Sequence, residues 1–370
     1  MFRNFSRLYT AKLCGLAVLA LAPHISLADS FVQTNLVSSV PGLAYTTDPN
    51  LKNPWGVAYS ATSPFWISNQ VTGTASLYDG AGNRNTTIVS VPGSSTPPSG
   101  PTGQVFNGTT GFDLSTNGNA SKFIFDTLNG TIAGWNGGAT AVTMVSTPGA
   151  VYTGLALGTS GSSSYLYAAD STGQIRVFNS SWAPATLPGS FTDPSALSGF
   201  TPFNIQLIGS NLYVTYAKLT PTGSPLPGGY IDVFDSSGNF IQRLATGGAL
   251  YAPWGITAAP AGFGSYGNDI LVGNFGNGEI LAYNPTTDAF LGTLNGLNGQ
   301  PIVNSYLWYI GFRTGGTNDN TDALYFTAGI NNQQDGLFGE LTPTPEPATL
   351  LAAALALTLF AGVNRKRCTS

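Results

Sequence analysis

A line of about 51 residues recurs six times along this chain, and that period constrains the fold more than any single motif does. Each unit has a Gly-apolar opening, an apolar strand, a polar turn closed by Gly, and a second alternating strand. "PWGVAYSATSPFWISNQVTGTASLYDGAGN" shows it first, and "PWGITAAPAGFGSYGNDILVGNFGNGEILAYNPTTDAF" is its nearest copy. The openings align at Gly56, Gly111, Gly154, Asn204, Gly255 and Gly311, 43 to 56 residues apart. A fourth strand precedes the next opening, as in "NTTIVSVPG". Four-stranded units of this length are propeller blades, arranged radially so that few edges stay exposed. The predicted fold is therefore all-β, a six-bladed β-propeller spanning residues 31–342. The sixth unit ends one strand short, while "FVQTNLVSS" (residues 31–39) has no unit of its own. The expectation is that this N-terminal strand completes blade 6 and closes the ring. Blade 4 departs from the pattern, with Asn204 in place of Gly and an insertion over residues 218–229.

Composition agrees with short strands and many turns: 47 Gly and 24 Pro against 8% charged residues. Its 42% hydrophobic share is ample for a core. The residue types missing from the body exclude more than those present. His24 is the one histidine, and Cys14 and Cys368 are the two cysteines, so residues 29–344 hold neither type. Ser-His-Asp and Cys-His catalysis, thiolate zinc sites and disulfides are thereby excluded from the body. Seven bases face sixteen acids there, a net charge of about −9 that leaves no basic patch for nucleic acid.

The two ends carry addresses. Arg3, Arg7 and Lys12 precede a short apolar segment, then Ser26 and Ala28, so residues 1–28 read as a secretory signal for signal peptidase. Near the other end, Pro345-Glu346-Pro347 leads into a charge-free stretch at 348–363 and then Arg365, Lys366 and Arg367. As a helix that stretch extends ~24 Å, slightly short of a ~30 Å hydrocarbon core. The basic residues after it are expected to stay cytoplasmic.

This three-part order, over residues 343–370, resembles the PEP-CTERM sorting signal of Gram-negative bacteria. The resemblance implies recognition by an exosortase, transient inner-membrane anchoring and then a place at the cell surface or in the matrix, often with exopolysaccharide. "NPWGVA", "APWGIT" and "GNGEILAYNP" resemble NHL-type propellers. More closely, residues 31–347, with "DGLFGELTP", resemble a family of secreted propellers that carry PEP-CTERM tails. No established activity comes with that resemblance.

The end of strand b places Asn69, Asp126, Asp170 and Asn274 in related positions, the candidate ligand face. Converging carboxylate and amide oxygens can hold Ca²⁺, whereas the plainer role for Asn and Asp there is capping the b–c turns. No catalytic residue, metal ligand or cofactor is assigned. Trp55, Trp254 and Trp308 flank strand openings, with core filling the expected role and sugar stacking the alternative. The expected function is a non-catalytic exported binding protein for polysaccharide or envelope protein. The alternative is a divalent-metal-dependent propeller hydrolase of the lactonase type, with Asp126 or Asp170 as base.

Overall fold

A computed structural model describes residues 30–93, 99–313 and 315–344. The expected signal at residues 1–28, Pro345, Glu346 and Pro347, the expected membrane helix at 348–363, and Arg365, Lys366 and Arg367 lie outside the described residues. Among the described residues no helix is long and apolar enough to cross a membrane.

Six antiparallel sheets stand around one axis, and in each the strands run a to d from the axis outward. Blade 1 is Pro54–Ala58, Phe65–Asn69, Thr74–Tyr78 and Arg84–Ser90. Blade 2 is Pro101–Phe106, Phe123–Thr127, Thr131–Trp135 and Val142–Ser146. Blade 3 has three strands, Tyr152–Ser160, Ser163–Asp170 and Gln174–Asn179. Blade 4 is Thr201–Ile208, Asn211–Ala217, Tyr230–Asp235 and Phe240–Thr246. Blade 5 is Pro253–Ala258, Ile270–Asn274, Ile280–Tyr283 and Phe290–Thr293. Blade 6 takes Leu307–Gly311, Leu324–Ala328 and Leu337–Pro343 from the end of the chain and Ser30–Ser38 from its beginning.

Burial falls from the axis outward, and the sequence follows it. Strands a and b of blade 1, "PWGVA" and "FWISN", are buried at every position because neighbouring blades cover both faces. Strand d, "RNTTIVS", is mostly exposed and mostly polar. The core is accordingly a ring of inter-blade wedges of aliphatic and aromatic side chains.

Two openings differ from the sequence alignment. Blade 2 opens at Gly103, within Pro101–Phe106, and not at Gly111. The "PTG" there is the same Pro-x-Gly opening as "PWG", but it is embedded in a Pro/Ser/Gly-rich stretch that reads as loop. Gly111 instead lies against Ser180 in a loop of the neighbouring blade. In blade 6 the equivalent residue is Tyr309, since Leu307 pairs with Ala328 as Pro253 pairs with Asn274. The openings are then 47 to 54 residues apart, more regular than the sequence alignment gives. Blade 3 lacks a full strand d. Past strand c only Pro184 bridges back to Phe178, and prolines at 184 and 188 remove the amides a ladder needs.

The ring closes as expected. Ser30–Ser38 runs antiparallel to Leu337–Pro343, from Phe31 opposite Pro343 to Ser38 opposite Leu337. Phe31 packs at a tilt against Phe263 of the blade 5 wedge, ring centroids 5.0 Å apart, while Leu36 and Val37 join Phe65 and Tyr78 of blade 1. One strand thus fills the wedges on both sides of blade 6. Each of these buried apolar side chains contributes about 1.5–3 kcal/mol. Deleting residues 31–39 is expected to lower the melting temperature sharply or cause aggregation. Removing residues 345–370 is expected to leave it unchanged, because Thr344, whose amide bonds Ser30 O, is retained. Equal melting temperatures for the intact protein and the N-terminal deletion would overturn this account of closure.

Candidate ligand pocket on the propeller axis

The narrowest point of the molecule is where strands a meet. Gly56, Gly103, Gly154, Asn204, Gly255 and Tyr309 form a collar there, one residue per blade. A Cβ on Gly56 would lie 2.5 Å from Thr102 O of blade 2; on Gly103, Gly154 or Gly255 it would run into the next blade in the same way. Only glycine permits this approach of backbone to backbone. Asn204 and Tyr309 are the two positions that carry side chains, and Asn204 Nδ2 reaches across to Trp254 O at 2.8 Å. The space left inside the collar is about 20 Å³, room for a single water.

Three tryptophans sit directly above this collar, each one residue before it in strand a. Trp55 and Trp308 stack at 3.5 Å, and Trp254 meets both edge-on at 6.0 and 5.6 Å. All three are buried, as expected for core fillers. Trp254 Nε1 donates to Thr153 O and Trp308 Nε1 to Asn53 Oδ1. Trp55 Nε1 has no hydrogen-bond partner.

Above the tryptophans a pocket of about 520 Å³ opens on the face that carries the b–c turns. Trp55, Trp308, Phe203 and Phe275 form its apolar wall, Gln70, Ser171 and Gln333 its polar points. The blade 4 insertion brings Leu219, Pro221 and Thr222 against one side. No charged residue lines it. Size and lining are those of a small-ligand site.

Asn53 organises the polar side. It is buried, with φ of 44°, and its Nδ2 donates to Gln70 Oε1 at 2.9 Å and to Gln333 Oε1 at 3.1 Å. With Trp308 donating to its Oδ1, every polar atom of the Asn53 side chain is used. Gln333 is held through its oxygen, and its Nε2 makes no hydrogen bond among the described residues. The pocket thus offers pre-aligned N–H donors in uncharged surroundings. Gln70 and Gln333 escape sequence reading because Asn53 binds residues 17 and 280 positions away. The one trace is the Asn of "NPWGVA", where blade 5 has Ala.

The four residues singled out at the end of strand b do not line this pocket. Strand register makes Asn69, Asp170 and Asn274 equivalent, opposite Pro54, Tyr152 and Pro253. Asp170 caps its turn through Thr172 N, accepts Val151 N and pairs with Arg176 at 2.7 Å. Asn274 Oδ1 accepts Tyr251 N and its Nδ2 donates to Ala249 O, bracing the connection into strand a. Asn69 Nδ2 donates to Ser76 of its own blade.

Asp126 is out of register with these three. Thr127, not Asp126, stands opposite Pro101, so the carboxylate projects from the other face of the sheet. Its equivalents are Ser68 and Thr327, small hydroxyl residues that bond the next blade. Asp126 instead accepts from Thr102 Oγ1 of its own blade at 2.7 Å, Thr102 in turn reaches Tyr152 O of blade 3, and Asp126 Oδ2 has no hydrogen-bond partner. Burial dominates its titration and pushes its pKa up to about 7. Among the described residues no group of three or more His, Cys, Asp or Glu side chains could hold a metal.

A carboxyl whose pKa is higher folded than unfolded binds its proton more tightly in the native state. Its ionisation therefore costs stability as pH rises from about 4 to about 7. Asp126→Asn is expected to remove that share, so the stability difference between variant and parent grows in the variant's favour across this range. Denaturant titrations at pH 4.5, 6 and 7.5 check it, and a pH-independent difference would overturn the assignment.

No protein-family profile matches the chain. Among solved structures, the apo-form soluble aldose sugar dehydrogenase of Escherichia coli superposes with a TM-score of 0.53 at 13% identity, over 85% of this chain and 100% of that one. The PQQ-bound aldose sugar dehydrogenase of Streptomyces coelicolor gives 0.51 at 15% identity, over 85% and 99%. Identities this low establish the propeller fold alone. Two proteins of Acanthamoeba polyphaga mimivirus are closer in sequence. Uncharacterized protein R648 is 32% identical over 324 residues, 83% of this chain and 78% of the relative. Uncharacterized protein L690 is 31% identical over 328 residues, 83% and 84%. At that identity and coverage, this chain belongs to the family of R648 and L690.

Proposed function

We propose that this protein is an exported, non-catalytic binding propeller that holds a neutral, hydroxyl-bearing ligand, a polysaccharide segment, in its axial pocket. The observation that carries the reading is the lining: aromatic walls, amide and hydroxyl groups, and no charge within about 520 Å³. The aromatic edges give an apolar wall for a sugar ring to pack against, and amide groups match its hydroxyl oxygens. Asp126, the acid with the most perturbed titration near the axis, is sealed from solvent beside Thr102 and does not line the pocket. The addresses at the two ends supply the rest of the proposal. Residues 1–28 direct export, and Pro345-Glu346-Pro347 with Arg365, Lys366 and Arg367 direct sorting by an exosortase to the cell surface or matrix.

Binding is tested by calorimetry against neutral oligosaccharides, with uronic-acid oligomers as the charged comparison. Neutral glycans are expected to bind and charged ones not. Gln333→Ala is expected to weaken binding by about fivefold or more, the loss of one or two hydrogen bonds, without lowering the melting temperature. Binding that prefers uronic acids, or that ignores Gln333→Ala, would overturn the site. For sorting, the full chain is expressed in a Gram-negative host with an exosortase. Loss of the C-terminal segment and surface exposure are expected, and both should fail in a Pro345→Ala, Glu346→Ala variant. Identical processing of the two chains would count against the tail's role.

A further inference from the structure

We infer that the axial pocket reads the end of a glycan chain and not an internal stretch, an inference that rests on the saccharide reading above. Three observations on the pocket's shape carry it. First, the floor is closed: below the tryptophans, the collar leaves only about 20 Å³, too little for a sugar ring to pass. At Gly56, Gly103 and Gly255 the contacts that close it are backbone against backbone, and at Gly154 the Asn204 side chain closes it, tied in place to Trp254 O. Second, the pocket lies on the propeller axis, inside a ring of strand a starts and b–c turns contributed by all six blades. A cleft for a chain interior needs two open ends, whereas this site has one mouth. Third, the blade 4 insertion narrows that mouth. Its turn, held by Thr220 N donating to Ser224 O and Gly223 N to Thr220 O, sets Leu219, Pro221 and Thr222 beside the opening.

An interior segment would have to enter and leave by the same mouth, which demands a hairpin in a chain of stiff pyranose rings. A chain end enters without one. One donor is placed for that terminal ring: Asn53 holds Gln333 by its Oε1, which leaves Gln333 Nε2 without a hydrogen bond among the described residues. An end carries hydroxyls that an interior residue has committed to glycosidic bonds. The ligand class is thus a neutral glycan terminus, and the specificity-determining elements are the collar floor, the Asn53–Gln333 pair and the blade 4 turn.

Stoichiometry against chain length tests this with the intact propeller. A panel of neutral linear oligosaccharides of several linkages is screened by calorimetry, and each binder is then titrated as a series of increasing length. One protein per chain at every length is expected, with affinity constant once the pocket is filled. A cyclic oligosaccharide of the same linkage, which has no end, is expected to bind at least tenfold more weakly. Stoichiometry rising with length, or equal affinity for the cyclic and linear forms, would overturn the end-reading inference and leave the saccharide site standing. If no neutral glycan in the panel binds a protein with an unchanged melting temperature, the saccharide reading falls and this inference with it. A shortened blade 4 turn lacking residues 220–223 supplies the second variant. It is expected to keep one protein per linear chain while binding the cyclic form at least threefold more tightly than the parent does.

Discussion

Six inner strands converge until their backbones touch, and the rest of the molecule depends on that contact. Four of the six collar positions are glycine. With no Cβ in the way, neighbouring blades dock through carbonyls and amides, and Asn204 completes the circuit with its own amide. The inner ring's small radius then dictates what lies further out. Strands b must be buried over most of their length, the wedges between blades must widen outward, and strands d can be polar. The collar also fixes the floor of the pocket, so the feature that holds the fold together shapes the space available to a ligand.

Electrostatics is used sparingly and locally. Five of the body's seven bases pair with aspartates: Lys52 with Asp335, Arg84 with Asp48, Arg176 with Asp170, Arg243 with Asp193 and Asp232, and Arg313 with Asp319. Several stitch distant parts of the chain together. Lys52 and Asp335 join the approach to blade 1 to a turn of blade 6, and hydrogen bonds hold Asp335 down to about 2. These pairs stand at seams and turns, and the axial pocket is left neutral.

The architecture was legible in the sequence because it repeats. Gly-apolar openings at a near-constant interval, and a spare strand at one end matching a missing strand at the other, suffice for six blades and their closure. Register was less legible. Pro101-Thr102-Gly103, the true opening of blade 2, sits among Ser and Pro whose composition masks the motif, so the repeat pattern points to Gly111 instead. A slip of one residue placed Asp126 with Asn69 and Asp170, and in a strand one residue is the difference between two faces. The site was hardest of all. Trp55 and Trp308 were visible, but the hydrogen bonds of Asn53 to Gln70 and Gln333 arise only when blades 1 and 6 meet. No local pattern encodes a contact across that seam.

The closing strand has a consequence for how the protein comes into being. Ser30–Ser38 precedes every other strand of the propeller and its partner Leu337–Pro343 follows them all, so the ladder joining them spans nearly the whole body. Until the final strand arrives, five blades form an open arc with an apolar wedge exposed at each end. Long-range pairing of this kind is slow, and an unpaired edge invites wrong partners in the meantime. The propeller is in effect a clasp that can be fastened only after the whole necklace has been strung.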